Sequence, residues 1–226
     1  MKRGKKYTES IKKYNPEKTY ELLEALTILK SIAFAKFDET VELSVKLNLK
    51  KSQTVRDTLV LPNQFRGEKK ILVFCKPEKE TEAKEAGAAF IGADDLIEKV
   101  KGGWTEFDVA VATPDMMKDV GKLGMVLGRK GLMPNPKTGT VTFDLKGALA
   151  ELKKGRIEFR ADKTGVVHLA VGKASMEPQL VAENINTAIQ EIKRKRPADA
   201  KGDFIKTVSV ASTMSPGVWV KEQTWL

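Results

Sequence analysis

The sequence predicts an α+β domain built from both chain ends and interrupted by an inserted, Rossmann-like α/β domain of three layers. Three observations lead there. Segments near both ends alternate between apolar and polar residues, so each would bury one face of a strand. The middle instead alternates continuous apolar runs with helical patterns, as parallel strands joined by crossover helices do. Charge follows the same division: residues 1–67 carry 14 basic and 8 acidic groups (net +6), residues 68–159 carry 16 and 15 (net +1), and residues 160–226 carry 10 and 7 (net +3). The expected domains are 1–67 together with 160–226, and 68–159, with hinges near Gly67 and across 156–160.

The elements follow in order. Asn15 reads as an N-cap with Pro16 at the first position of an amphipathic helix that turns Leu22, Leu23, Leu26, Leu29 and Ile32 inward. A strand over 40–49 comes next. Val41, Leu43, Val45, Leu47 and Leu49 point one way, and Thr40, Glu42, Ser44, Lys46 and Asn48 the other. In the middle, Ile71 to Cys75 and Asp108 to Ala112 read as buried parallel strands, with helices over 78–86 and 115–127. Val141 to Phe143 and Leu145 to Lys153 add a third strand and helix. Beyond the insert, Ile157, Phe159 and Ala161 alternate with Glu158, Arg160 and Asp162, and Lys163-Thr164-Gly165 turns the chain into Val166 to Val171, which predicts a hairpin. A second amphipathic helix starts at Pro178 and buries Val181, Ile185, Ala188, Ile189 and Ile192. It ends in Lys193 to Arg196, basic residues suited to a helix C-terminus. The last strand alternates Val208 and Val210 with Thr207, Ser209 and Ala211, then runs into Ser212, Thr213 and Met214.

Composition narrows the function. Forty Lys and Arg against thirty Asp and Glu leave a net charge of +10, which attracts polyanions, nucleic acid first among them. The basic opening, Met1 to Lys6, is followed by a polar stretch where a secretion signal would be apolar, and charged residues interrupt every apolar run, so no membrane partner is expected. One cysteine and one histidine cannot assemble a metal cluster. Cys75 closes an apolar run and reads as an inert buried thiol. His168 has no catalytic partner at a recognisable spacing, so neither catalytic residue nor cofactor is expected.

The most distinctive stretch is glycine-rich, from Leu123 to Lys137. It matches neither the phosphate loop of nucleotide hydrolases nor the GxGxxG dinucleotide loop, and taken alone it reads as a rigid Gly and Pro turn. Its core, Gly128-Arg129-Lys130-Gly131-Leu132-Met133-Pro134-Asn135-Pro136-Lys137, closely resembles the signature of the bacterial large-subunit ribosomal protein L-one family. The resemblance extends through Phe37-Asp38-Glu39-Thr40-Val41-Glu42, Arg160-Ala161-Asp162-Lys163-Thr164-Gly165 and Ser212-Thr213-Met214. It implies a two-domain protein with an insert, located at the mobile stalk beside the tRNA exit site and cytoplasmic. The partners it implies are large-subunit ribosomal RNA, bound mainly by the domain of both termini, exit-site tRNA, whose release it assists, and the protein's own messenger RNA, which it represses. Outside the ribosome a monomer is expected.

Carried onto this chain, the RNA-contacting set of the family falls on Lys36, Phe37, Thr40, Ser44, Lys46, Lys163, His168, Thr213, Met214 and Gly217. Thr40, Ser44 and Lys46 share one strand face, which is either an ordinary wet face or a place where hydroxyls meet ribose and Lys meets phosphate. Phe37 either stacks on RNA or plugs the core, and His168 faces either solvent or RNA. Gly217 would let backbone approach RNA closely. Ser215 stands where the family usually has Gly, and its side chain either keeps the backbone path or weakens a contact. Two readings from other classes compete: a nucleotide-binding α/β enzyme, which nucleotide binding would reveal, and a charge-driven nucleic-acid chaperone, which would not discriminate among RNAs.

Overall fold

The computed structural model describes residues 4–50, 53–65, 67, 69–153, 155–197 and 202–221. Met1 to Arg3 of the basic opening, and residues 66 and 68 beside the expected hinge, lie outside the described residues. Contacts divide the chain into two compact units, Met1–Phe65 with Ile157–Leu226, and Arg66–Arg156. The second cut falls at 156, before the expected 159, because Phe159 and Ala161 are buried in the core of the terminal unit and draw their strand into it.

The chain opens with α1 (Lys5–Ile11), β1 (Thr19–Tyr20), α2 (Leu22–Ile32), β2 (Thr40–Leu47) and β3 (Arg56–Val60). The helix expected from Asn15 starts later. The Asn15 side-chain oxygen accepts the Glu17 N–H at 3.0 Å, forming a turn instead of a helix cap, and Thr19 and Tyr20 then pair in parallel with Trp219 and Val220. Long-range pairing prevails over the local start signal. In α2, Leu22, Ala25, Leu26, Leu29 and Ile32 are buried at helical spacing. Leu23, expected inward, is 51% exposed, since one step along a helix rotates a side chain about 100° off the buried stripe.

The middle unit contains β4 (Ile71–Phe74), α3 (Glu80–Glu85), β5 (Phe90–Gly92), α4 (Asp94–Lys101), β6 (Val109–Ala112), α5 (Met117–Val120), α6 (Gly124–Arg129) and α7 (Leu145–Lys153). Its sheet is parallel, in the order β5-β4-β6. Leu72 and Phe74 pack with Leu96, Val100, Val120 and Leu127 on one face. Ile71 and Val73 pack with Ala83, Leu145 and Leu149 on the other. Helices on both faces explain why β4 is apolar without alternation. The expected strand at Val141 to Phe143 is reduced to one bridge, Val141 to Ala112; Thr140 just before it is tied back to Asn135, whose N–H its hydroxyl accepts at 2.7 Å. Half of the glycine-rich stretch is helical and not loop. α6 closes on Gly131, whose φ of +68° suits glycine, with Gly131 N–H bonded to Gly128 O and Leu132 N–H to Leu127 O.

The chain then returns through β7 (Arg156–Arg160), β8 (Val166–Lys173), α8 (Pro178–Arg194), β9 (Ile205–Ser212) and β10 (Val218–Val220). Five strands form one sheet in the order β1-β10-β9-β2-β8, with β2 antiparallel to both neighbours. The expected hairpin between β7 and β8 shrinks to one bridge, Ala161 to Val167, because β7 pairs with β3 and β8 with β2. α8 starts at Pro178 and buries Val181, Ile185, Ala188, Ile189 and Ile192, which join α2 and the inward residues of the sheet in a single core. Inside that core lies a fully buried amide. Asn184 donates to Val171 O (2.7 Å) and Asn63 O (2.9 Å) and accepts the Asn63 N–H (2.9 Å), which ties a loop to the helix and the sheet.

Candidate nucleic-acid interface

Residues directly opposite in an antiparallel pair share a sheet face. Ser44 of β2 stands between His168 of β8 and Ser209 of β9; Lys46 stands between Val166 and Thr207, and Glu42 between Ala170 and Ala211. All are half-buried or exposed, while Val41, Leu43, Val45 and Leu47 point into the core. The helices α2 and α8 pack on the apolar side. The side carrying Thr40, Ser44, Lys46 and His168 is thus an open polar face, running about 20 Å from Thr40 to Lys46.

Hydrogen bonds fix its geometry. Ser44 Oγ lies 3.0 Å from His168 Nδ1. Lys46 Nζ donates to the carbonyl of Thr164, which places its charge beside the exposed Lys163. That loop is shaped by Asp162, whose carboxylate accepts the Thr164 and Val166 N–H groups at 2.8 Å each. The Val166 N–H and the Thr164 hydroxyl hold the Asp162 carboxyl below its usual range.

At the far end of β2, Lys173 Nζ donates to Thr40 Oγ1 (2.9 Å), and Thr213 Oγ1 accepts the Thr40 N–H (3.0 Å). Beside this junction Phe37 is 56% and Met214 50% exposed, and Lys36 and Gly217 are exposed too. Phe37 therefore does not plug the core. A Cβ added at Gly217 would meet nothing nearer than Val210 O at 3.9 Å, so packing within the chain does not demand glycine there. The ten expected residues fall into an end cluster (Lys36, Phe37, Thr40, Thr213, Met214, Gly217), a mid-face pair (Ser44, His168) and a basic pair at the opposite end (Lys46, Lys163).

One residue that organises the end cluster was missed from the sequence. Glu39 is fully buried; its Oε1 accepts the N–H groups of Phe34 (3.2 Å) and Ala35 (2.8 Å), and its Oε2 accepts the Met214 N–H (3.1 Å) and the Ser212 hydroxyl. Burial alone would raise its pKa, but these hydrogen bonds outweigh burial and hold the carboxyl below its usual value. Glu39 thereby clamps the loop before Phe37 to the loop carrying Met214. Ser215 turns inward to the Ser212 hydroxyl, so its side chain leaves the outer surface of that loop unchanged. Glu42 was also passed over, although it shares the parity of Thr40, Ser44 and Lys46; its exposed carboxylate can only accept hydrogen bonds, as from ribose hydroxyls or base amino groups.

Among the described residues no three His, Cys, Asp or Glu side chains are grouped to hold a metal, and no helix is long and apolar enough to cross a membrane. The Cys75 thiol is buried, and that burial raises its pKa, which keeps it protonated and unreactive.

A helix-backed sheet with an open polar face, cations at both ends and exposed apolar side chains at one of them has the layout of the class of sheet proteins that can engage polyanions. The particular family follows from comparison. Residues 29–216 match the profile of the Ribosomal protein L1p/L10e family. The chain is 64% identical over 220 residues to the large ribosomal subunit protein uL1 of Treponema denticola, covering 97% of each chain. It is 58% identical over 217 residues to uL1 of Borrelia hermsii, covering 96% and 97%, and 55% identical over 219 residues to that of Borreliella burgdorferi, covering 97% of each. The chain belongs to the Ribosomal protein L1p/L10e family, and so is a ribosomal protein and not an enzyme.

Proposed function

We propose that this chain binds large-subunit ribosomal RNA through the open sheet face of its terminal unit and the end cluster around Thr40 and Thr213. It works in the cytoplasm as a structural constituent of the large ribosomal subunit. The observation that carries the RNA reading is the register of β2: it aligns hydroxyls, an imidazole and an ammonium on the uncovered side, while Glu39 holds Met214 and the Phe37 loop at its end. Hydroxyls and Lys suit ribose and phosphate; Phe37 offers a ring for an unstacked base.

Family membership extends the reading to the mobile stalk, with assistance in releasing exit-site tRNA, repression of the chain's own messenger RNA and a monomeric state outside the ribosome. For tRNA, exposed Met125 and the exposed cations Lys122, Arg129 and Lys130 of the middle unit supply apolar and basic contact groups. The test is salt-dependent binding of the intact chain to the stalk segment of large-subunit RNA against excess unrelated RNA. Tight binding that survives the competitor is expected, and Thr213→Val or Met214→Asp should weaken it by roughly 1–3 kcal/mol. Binding erased equally by any RNA, or unchanged in both variants, would sink this reading in favour of association by charge alone.

A further inference from the structure

Resting on the RNA-binding reading of the open face, we infer that Trp219 extends that face as a stacking platform for an unpaired nucleobase. Trp219 lies directly opposite Ser209 and beside Thr19, and Ser209 lies opposite Ser44, which lies opposite His168. Thr19, Trp219, Ser209, Ser44 and His168 therefore form one row crossing all five strands on the uncovered side. Two strand spacings put Trp219 roughly 10 Å from Ser44. A few nucleotides of one strand, about 3.4 Å each when stacked, cover that distance.

The indole is 42% exposed, whereas its neighbours in β10, Val218 and Val220, point into the core. Lone exposed apolar side chains are common and need no explanation by themselves. Trp219, however, borders a groove of about 560 Å³ shared with Thr19, Thr207 and Lys221. That volume lies within the roughly 300–1,000 Å³ of pockets that take small planar ligands. The polar and aromatic lining comprises the indole face, the Thr19 and Thr207 hydroxyls for a base edge or a ribose 2′-OH, and the Lys221 ammonium, which also reaches Glu21 at 3.2 Å. It also includes the Glu17 carboxylate, which can only accept hydrogen bonds, as from base amino groups. The net charge of +10 favours a polyanion as the occupant over a basic or neutral apolar partner, and continuity with the Ser44 and His168 row selects the same RNA strand. Because every base has a π-face, stacking there adds affinity without demanding a particular base.

The sequence has three tryptophans, so a Trp104→Phe/Trp225→Phe variant of the full chain reports on Trp219 alone. Titrating it with the stalk segment of large-subunit RNA should quench its fluorescence. In the otherwise unaltered chain, Trp219→Ala should weaken binding roughly tenfold, while Trp219→Phe keeps most of the affinity. The slope of affinity against salt should stay the same, since no cation is removed. Wild-type affinity for Trp219→Ala, alongside a loss for Thr213→Val, would overturn the stacking role and leave the RNA-binding face standing. If Thr213→Val and Met214→Asp also bind like wild type, the face itself is misassigned and the inference falls with it.

Discussion

The two sheets of this protein differ in how many faces their helices cover. In the middle unit helices pack on both sides of β4, and all four of its residues are buried; in the terminal unit α2 and α8 cover one side of β2, and burial alternates residue by residue. The difference teaches where a binding surface can lie. A doubly covered sheet can present a partner only with its ends and loops, whereas a singly covered one presents a whole face whose side chains contribute nothing to the core and can change chemistry freely.

An aspartate placed in a central strand of each sheet tests this. Val73→Asp would bury an unpaired carboxylate between two helical layers, and we expect a loss of at least about 4 kcal/mol, seen as unfolding or early melting of the middle unit by thermal denaturation. Its counterpart, Ser44→Asp, should change stability by less than about 1 kcal/mol and yet weaken RNA binding, because the charge would stand on the face proposed for phosphate. Equal damage from both would erase the contrast between the sheets.

Glu39→Gln should cost roughly 2 kcal/mol, since a charged acceptor of four hydrogen bonds becomes a neutral one whose amide nitrogen can accept none. The sign of the pH dependence follows. The Glu39 carboxyl is depressed in the folded chain, so its contribution is present above the pKa of an unfolded Glu and is lost as pH falls through the lower folded value. Denaturant melts of wild type and Glu39→Gln at descending pH should converge; a constant gap would show that the ionised carboxylate is not what stabilises the clamp. The smallest effect should come from excising 66–156 and joining the ends with a short linker. RNA affinity should then stay within about threefold, provided the cut spares Phe159, whose burial belongs to the terminal core.

Much of the singly covered architecture was legible because alternation in Val41 to Leu47 and in Val208 and Val210 is a local signal. The same is true of α8, whose proline start and apolar spacing were both readable. What escaped depends on partners distant in the chain. The turn at Asn15 replaces a helix because Thr19 and Tyr20 find β10 some 200 residues later, and β3 exists because β7 returns to pair with it. β5 and α4 escaped for another reason: three half-buried strand residues and a helix with only Leu96 and Val100 inward give little periodicity to detect. In the candidate interface, the outward positions of β2 and His168 could be read from parity, whereas Lys36, Phe37, Lys163, Met214 and Gly217 lie in loops without alternation and were singled out by the family resemblance alone. The role of Glu39 could not be read, because a carboxylate that looks solvated in sequence is recognised as a clamp only when the N–H groups around it are known.

The order of strands also sets a schedule for synthesis. All strands and helices of the middle unit lie between residues 71 and 153, a continuous stretch that is complete before any of the second half of the terminal sheet is made. β2, by contrast, is flanked by β8 and β9, and β1 pairs with β10 at 218–220, so the first 65 residues emerge without the neighbours they need. A ribosome making this chain therefore releases a middle unit ready to fold while the N-terminal strands still wait, their apolar side chains and backbone edges open to chaperones.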